Sequence, residues 1–156
     1  MEAGRLCEPE ARAYYAFSRG VKVQEVGFVL SECGRMGCSP DGLVNARAGS
    51  VVYDGAERYA IWTAEGGLEL KCPLQKTQEE YLKTPGELPL KYKPQVHGQL
   101  IVTGLPWIDF LSYADGCDPL LVHVTPDAYT TQLRTAMDEF LKMYADAWEV
   151  SRGSVG

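Results

Sequence analysis

Two stretches, SPDGLV (residues 39–44) and GGLELKCPL (residues 66–74), decide how this chain is interpreted. The second is an apolar run, yet it carries Glu69 and Lys71 at alternate positions. Because successive side chains of a strand point to opposite faces, these two charges share one face and the apolar residues around them share the other. A lone pair of this kind is most often a solvated ion pair worth less than ~1 kcal/mol.

A second carboxylate changes that interpretation. Asp41 follows Pro40, which removes a ladder donor and favours a bulge or a strand edge, and precedes Gly42, which permits close backbone approach. We therefore expect the Asp41 carboxylate to point into a cleft beside Glu69 and Lys71. Two carboxylates can hold a hard divalent cation such as Mg²⁺, which activates water and stabilises charge on a phosphate. A lysine can orient that water or take its proton.

Length and composition indicate one globular domain spanning residues 1–156, with 46% hydrophobic and 23% charged residues. The net charge of −6 argues against binding polyanions through overall charge. The negative net charge does not exclude a nucleic-acid site in which carboxylates hold metal ions, because the metal ions supply local positive charge. No apolar run is long enough for a membrane span, and no signal peptide is evident. We therefore expect no membrane association and a cytoplasmic location, in the host if the protein is viral.

The cysteine content favours a reducing compartment, because the five cysteines are odd in number and form no CxxC pair. Cys33 and Cys38, together with His123, could form a zinc site, although their spacing is poor for one. The favoured interpretation is buried free thiols.

Hydrophobic periodicity, Gly and Pro predict an alternation of helices and strands. The predicted helices cover residues 4–18, 74–84, 93–103 and a final segment from residue 125. The predicted extended segments cover residues 21–32, 38–44 (carrying Asp41), a hairpin at 50–63 around Asp54-Gly55, 67–72, 107–113 and 119–124. Clustered strands between helices indicate an α/β (α+β-like) fold with a mixed central β-sheet flanked by α-helices on both faces.

The complete pattern resembles the PD-(D/E)xK nuclease signature, with Pro40-Asp41 followed by Glu69-Leu70-Lys71. Two further blocks narrow the resemblance: GRLCEPEARAYYAFSRGV at 4–21 and YKPQVHGQLIVTG at 92–104. Together the blocks are similar to the YqaJ-type viral recombinase family, which includes the phage lambda exonuclease, over nearly the whole chain and in the same order. The resemblance implies a three-layer restriction-endonuclease-like core.

The same resemblance implies the chemistry of the site. The implied cofactor is Mg²⁺, for which Mn²⁺ can substitute. The implied metal-site residues are Glu8, Asp41, Glu69 and the backbone carbonyl of Leu70. The implied catalytic residues are Asp41, Glu69, Lys71 and Gln95, where the glutamine supports the site near the substrate phosphate.

DNA contacts are expected at five residues near these motifs, and phosphate contacts would be sequence-independent and salt-sensitive. They are Arg12, Ser39, Lys91, Tyr92 and Lys93. Simpler alternatives exist for several of the site residues. Glu8 could form a helix-surface pair with Arg12, and Gln95 and Gln99 could face solvent. Tyr92 could serve only in packing, and Lys91 and Lys93 could be solvated surface residues. His97 is a candidate base, but it and His123 are more simply read as residues without a chemical role.

Two features depart from the family pattern. The sequence begins almost at the Glu8 helix, so we expect a single nuclease domain that lacks the N-terminal extension of larger relatives. The hairpin at 50–63 is longer than in lambda exonuclease. Its aromatic and basic residues could clamp a DNA end, although an extension of the sheet is favoured. These residues are Tyr53, Arg58, Tyr59 and Trp62.

The leading hypothesis is a Mg²⁺-dependent exonuclease that digests duplex DNA from a free end, 5′ to 3′, for phage-type recombination or DNA processing. By resemblance its partners would include a single-strand annealing protein and, as a trimer, further copies of itself. The alternatives are a structure-specific or nicking endonuclease of the same superfamily, a DNA-binding or assembly module without turnover, and a small zinc-stabilised interaction domain.

Overall fold

A computed structural model describes the backbone of residues 2–54 and 57–153, and the side chains of residues 7–49 and 60–150. The helices are α1 (Glu2–Arg19), α2 (Gln75–Tyr81), α3 (Lys93–Thr103) and α4 (Ala128–Gly153), and a 3₁₀ turn covers Leu90–Tyr92. The strands are β1 (Val23–Gln24), β2 (Val29–Leu30), β3 (Gly37–Cys38), β4 (Gly42–Val44), β5 (Arg47–Asp54), β6 (Glu57–Thr63), β7 (Gly66–Lys71), β8 (Ile108–Ser112) and β9 (Leu120–Val124). Within these residues, no helix has the length and apolarity to cross a membrane.

The central sheet is mixed and has the order β1-β4-β7-β8-β9. Only β7 and β8 are parallel neighbours, and the remaining pairs are antiparallel. A parallel pair needs a long crossover, and here the crossover contains α2, the 3₁₀ turn and α3. This crossover brings α3 over β7, the middle strand of the sheet.

Apolar side chains cover both faces of the sheet. On one face, Ala11 and Tyr15 of α1 pack with Leu68 and Leu70 of β7. On the other face, α3 packs against β8 and β9. The second cluster contains Val96, Leu100, Ile108, Phe110, Leu120, Val122 and Val124. Helix α4 lies against α3. The predicted α/β fold, a mixed sheet with helices on both faces, is confirmed.

Buried polar contacts anchor the helices. The hydroxyl of Tyr15 donates to Asp109 Oδ2 of β8 at 2.7 Å, and His123 Nδ1 lies 2.6 Å from Asp109 Oδ1. In the outer layer, His97 Nδ1 of α3 lies 2.7 Å from the Thr130 hydroxyl of α4. Asp109 is fully buried, and a buried carboxylate needs hydrogen-bond partners. Tyr15 and His123 are those partners.

Two predictions about strands are wrong. Residues 38–44 do not form one strand, because β3 and β4 are interrupted by a bend that contains Asp41. Pro40 cannot donate a ladder bond there. The hairpin of β5 and β6 is a separate two-stranded sheet rather than an extension of the central one. Its tip at 55–56, and the side chains of Tyr53, Arg58 and Tyr59 that were considered as a DNA clamp, lie outside the described residues.

Candidate active site

The charged residues of the two signature stretches meet at the end of β7. The backbone N–H of Leu70 donates to Asp41 Oδ2 at 2.7 Å. Lys71 Nζ donates to Glu69 Oε1, which confirms that these two side chains share one face of the strand. The bend before β4 therefore places Asp41 beside the strand that carries the other two charges. Asp41, Glu69 and Lys71 form one cluster, as the sequence predicted.

Glu69 is buried rather than solvated. Its side chain is 1% exposed and faces α3, where Gln95 Nε2 donates to Oε1 at 2.6 Å and Gln99 Nε2 donates to Oε2 at 2.6 Å. A buried carboxylate is costly unless hydrogen bonds or a countercharge compensate it. The interpretation of Glu69 and Lys71 as a surface pair is therefore wrong, and so is the solvent-facing interpretation of Gln99, which is 3% exposed. Gln95 is an exposed residue, but its amide bonds to the site.

Electrostatics of the cluster favour a bound cation. Burial and then the charge of Glu69 raise the pKa of Asp41, while the Leu70 N–H, Lys71 and Arg12 oppose that rise. Burial alone would lower the pKa of Lys71, but its hydrogen bond to Glu69 and the charges of Glu69 and Asp41 raise it overall. Lys71 is therefore an ammonium ion, and two neighbouring carboxylates share its charge. A divalent cation would relieve their mutual repulsion.

The oxygen atoms available near Asp41 suit Mg²⁺. The carbonyl of Lys71 accepts from Tyr113 N at 2.8 Å on the β8 side. Because consecutive carbonyls of a strand alternate in direction, the Leu70 carbonyl points to the other side, where Asp41 lies. Two carboxylates and one carbonyl form the oxygen set of a hard cation that keeps several waters. These residues fit the metal that the sequence predicted, although among the described residues no three His, Cys, Asp or Glu side chains converge as a complete metal cluster.

A zinc site is contradicted by the same finding. Cys33 contacts the Ser31 hydroxyl at 3.3 Å, and His123 is held by Asp109 on the face of α1. Burial and then the charge of Glu69 raise the pKa of Cys38 to about 11, which keeps this thiol protonated. Among the described residues Cys33, Cys38 and His123 therefore do not meet in a zinc site. The five cysteines are free thiols, as expected, but Cys33 is exposed and the other four are half-buried rather than buried.

Helix α1 brings two further predicted residues toward the site. The negative charge of Glu8 acts on the thiol of Cys72, whose pKa burial and the neighbouring Cys7 raise to about 12. Glu8 thus lies near the end of β7. The predicted alternative, a surface pair between Glu8 and Arg12, is not what forms. Arg12 Nη1 instead bonds Glu25 Oε1 at 2.8 Å.

Arg12 also carries an unused donor. Within the described part of the chain its Nε is buried and has no hydrogen-bond partner, while its charge acts on Asp41. A buried N–H without an acceptor is costly. Ser39 is exposed two residues before Asp41.

The predicted lysines rest on aromatic rings. Lys91 Nζ lies 4.8 Å from the ring centroid of Tyr92 and 5.1 Å from that of Tyr81, and Lys93 Nζ lies 4.6 Å from the ring of Tyr129. The ring of Tyr92 also lies 5.3 Å from Lys71 Nζ. Tyr92 thus stands between Lys71 and Lys91, and it also packs against the core cluster that contains Phe110.

The two histidines lie away from the cluster. His97 is 2% exposed and points to α4, and His123 is on the opposite sheet face with Asp109. Each ring is engaged by these contacts with residues outside the Asp41 cluster.

Gln99 is the site residue that sequence reasoning missed. It lies four residues after Gln95, and this spacing puts two side chains on the same helix face. The spacing was a sufficient signal for their shared direction. It could not reveal that this face covers Glu69, because the position of α3 over β7 depends on the tertiary fold.

Comparison with known proteins matches this architecture. The sequence profile of the YqaJ-like viral recombinase domain matches residues 1–106. The chain belongs to this family. No curated protein sequence matches the chain significantly. Among solved structures, this YqaJ-like chain is similar to an alkaline exonuclease (LHK-Exo) from Laribacter hongkongensis, with 31% identity and a TM-score of 0.73, over 99% of this chain and 73% of that one.

A second structure, LHK-Exo in complex with dAMP, is similar at 30% identity and a TM-score of 0.72, with the same coverage. The matched alkaline exonuclease has a restriction-endonuclease-like fold, and this YqaJ-like chain shares it. The resemblance of the three sequence blocks to the YqaJ-type family is therefore confirmed.

The contact between α3 and α4 is expected to depend on pH. Burial lowers the pKa of His97, an effect that Asp127 opposes and Lys93 reinforces. The folded state therefore binds a proton at His97 less readily than the unfolded state does. Stability from the neutral ring is complete above the unfolded pKa of about 6.5 and is lost as the pH falls below it. Chemical denaturation between pH 7.5 and 5 should show a smaller loss of unfolding free energy in His97→Asn than in the wild type. Equal losses of unfolding free energy in the two proteins would show that His97 does not cause the pH dependence.

Proposed function

We propose that this YqaJ-family protein is a metal-dependent DNA exonuclease that hydrolyses phosphodiester bonds of duplex DNA from a free end. The observation that carries the proposal is the convergence of Asp41, Glu69 and Lys71 at one end of β7. A structural neighbour is an alkaline exonuclease, and a second structure of that protein contains dAMP. That ligand is a nucleoside monophosphate, the chemical class that an exonuclease releases.

The residues of the cluster divide the chemistry among them. Asp41, Glu69 and the Leu70 carbonyl would hold the Mg²⁺ ion, with Glu8 nearby. When bound, the ion acidifies a water molecule and neutralises charge on the scissile phosphate. Lys71 keeps its positive charge through Glu69, so it can orient the attacking water and stabilise the growing negative charge of the phosphate. Gln95 holds Glu69 from the exposed end of α3.

Substrate binding would use cations and donors around this cluster. Arg12, whose positive charge acts on Asp41, would attract a phosphate oxygen there, and Ser39 is exposed two residues before Asp41. Lys91 and Lys93, each resting on tyrosine rings, would contact phosphates further along the strand. Such contacts position DNA without reading its sequence. This local positive charge compensates for the net charge of −6.

The finer features of the proposal come from the family. They are 5′-to-3′ polarity, action in phage-type recombination, Mn²⁺ as a substitute for Mg²⁺, a single-strand annealing partner, assembly into a homotrimer, and a cytoplasmic site of action. Residues 1–156 would form one nuclease domain.

The catalytic role of Lys71 can be tested with end-labelled linear duplex DNA beside covalently closed circular plasmid. The wild type should degrade the linear DNA when Mg²⁺ is present, fail with EDTA, and spare the circle, because an exonuclease needs an end. Lys71→Ala should lower the rate by at least about 100-fold, since a positioned proton-transfer or charge-stabilising group contributes that much. The control is Lys83→Ala, which removes a lysine whose partner is the exposed Glu80.

Three outcomes would contradict parts of this account. Full activity of Lys71→Ala would exclude the mechanism. Cutting of the closed circle would replace the exonuclease by an endonuclease of the same superfamily. Binding of DNA without cleavage under Mg²⁺ or Mn²⁺ would leave a DNA-binding module. Release of labelled mononucleotide from one end only would give the polarity.

The phosphate contact of Arg12 should appear in the salt dependence of DNA binding. Arg12→Gln should raise KM for DNA and reduce the slope of log K against log salt by about one, as expected when one phosphate contact is lost. The control Arg134→Gln removes an exposed arginine of α4 and should keep the wild-type slope. An unchanged slope in Arg12→Gln would show that this residue serves only its pair with Glu25.

A further inference from the structure

Gln99 makes a contact with Glu69 that differs from those of the other two donors. Lys71 and Gln95 both donate to Oε1 of Glu69. Among the residues whose side chains are described, Gln99 alone donates to Oε2, at 2.6 Å. The two carboxylate oxygens of Glu69 are therefore held by different partners.

The two carboxylate oxygens of Glu69 differ in how many of their acceptor positions are occupied. A carboxylate has about four lone-pair positions, two on each oxygen. Both positions on Oε1 are taken by Lys71 and Gln95, whereas Gln99 takes one of the two on Oε2. Within the described part of the chain, one acceptor position is therefore left, on the oxygen that Gln99 orients.

We propose that Gln99 is a positioning residue that fixes Glu69 Oε2, the oxygen through which this carboxylate would bind the cation. The inference rests on the proposed metal-dependent function. A side chain that bonds a metal ligand sets the ligand's direction and its affinity for the ion. Gln99 thereby acts through Glu69 and has no contact with the substrate.

The second polar atom of Gln99 separates this role from a structural one. Its Oε1 is buried and accepts no hydrogen bond among the described residues. Burying an amide oxygen without a donor costs free energy. An apolar side chain of the same length would avoid that cost, so packing alone does not account for a glutamine here. The Nε2 bond to Glu69 does.

The helix around Gln99 is fixed on both sides. Val96 and Leu100 are buried against the sheet, and His97 bonds Thr130 of α4. The hydroxyl of Thr103 bonds the backbone carbonyl of Gln99 at 2.7 Å. A donor on so constrained a helix holds its acceptor in one geometry, which is the requirement for a preorganised ligand.

The test compares two buried glutamines. Gln99→Met keeps the length of the side chain and removes its donor. Gln78→Met is the matched control, because Gln78 is fully buried but bonds the backbone carbonyls of Ser112 and Asp118 rather than Glu69. For each protein, Mn²⁺ alone is titrated and free ion is counted by electron paramagnetic resonance. Thermal unfolding without metal and steady-state kinetics on linear duplex DNA accompany the titration.

The expected results differ between the variants. Gln99→Met should weaken Mn²⁺ binding by about 10- to 100-fold, the usual effect of losing a partner of a metal ligand. It should lower kcat at subsaturating metal and leave KM for DNA unchanged. Gln78→Met should lose thermal stability and keep the wild-type affinity for Mn²⁺.

Failure of the inference is distinguishable from failure of the proposed function. If the wild type and Gln99→Met bind Mn²⁺ with the same affinity, the inference about Gln99 is overturned and the proposed function is not. Wild type that binds no Mn²⁺ would overturn both. If Gln99→Met does not fold, the side-chain amide resonances of the wild type decide instead. Metal must then shift the Gln99 signal more than the Gln78 signal, and equal shifts would overturn the inference.

Discussion

The buried carboxylate of Glu69 is the constraint on which the rest of the site depends. A carboxylate that is 1% exposed cannot persist in an apolar sheet without donors and a countercharge. Lys71 supplies the charge from the same strand face, and α3 supplies two glutamine amides from above. The sheet and the helix are therefore matched to one another through a single charged group, and displacing α3 would remove two of its three hydrogen bonds and leave Lys71 as its partner.

The topology explains how these parts come together. The parallel pairing of β7 with β8 requires a crossover, and that crossover carries α3 directly over Glu69. The antiparallel pairing of β4 with β7 brings the bend with Asp41 to the opposite side of the same strand. On the other face, α1 contributes Glu8 and Arg12. One central strand thus collects chemistry from three separate segments of the chain.

Local patterns predicted much of this architecture, because they have local physical causes. Pro94 near the start and Gly104 after the end define α3, and Gly104 adopts a left-handed φ of 66°. Alternation placed Glu69 and Lys71 together. Tertiary effects were not predictable in the same way. At the bend, the Asp41 side chain accepts the N–H of Leu70, which is 29 residues away, and no local pattern encodes that contact. The burial of Gln99 follows from where the crossover lies. The β5–β6 hairpin forms a sheet of its own, and its local sequence does not indicate whether its strands pair with the central sheet.

Direct location of the cation is the measurement that tests the central claim most closely. Crystals grown with Mn²⁺, and an anomalous difference map recorded at the manganese edge, would show where the ion binds. The account predicts one peak coordinated by Asp41, by Oε2 of Glu69 and by the Leu70 carbonyl. A peak at a different set of residues, or none at saturating Mn²⁺ in a folded protein, would contradict it.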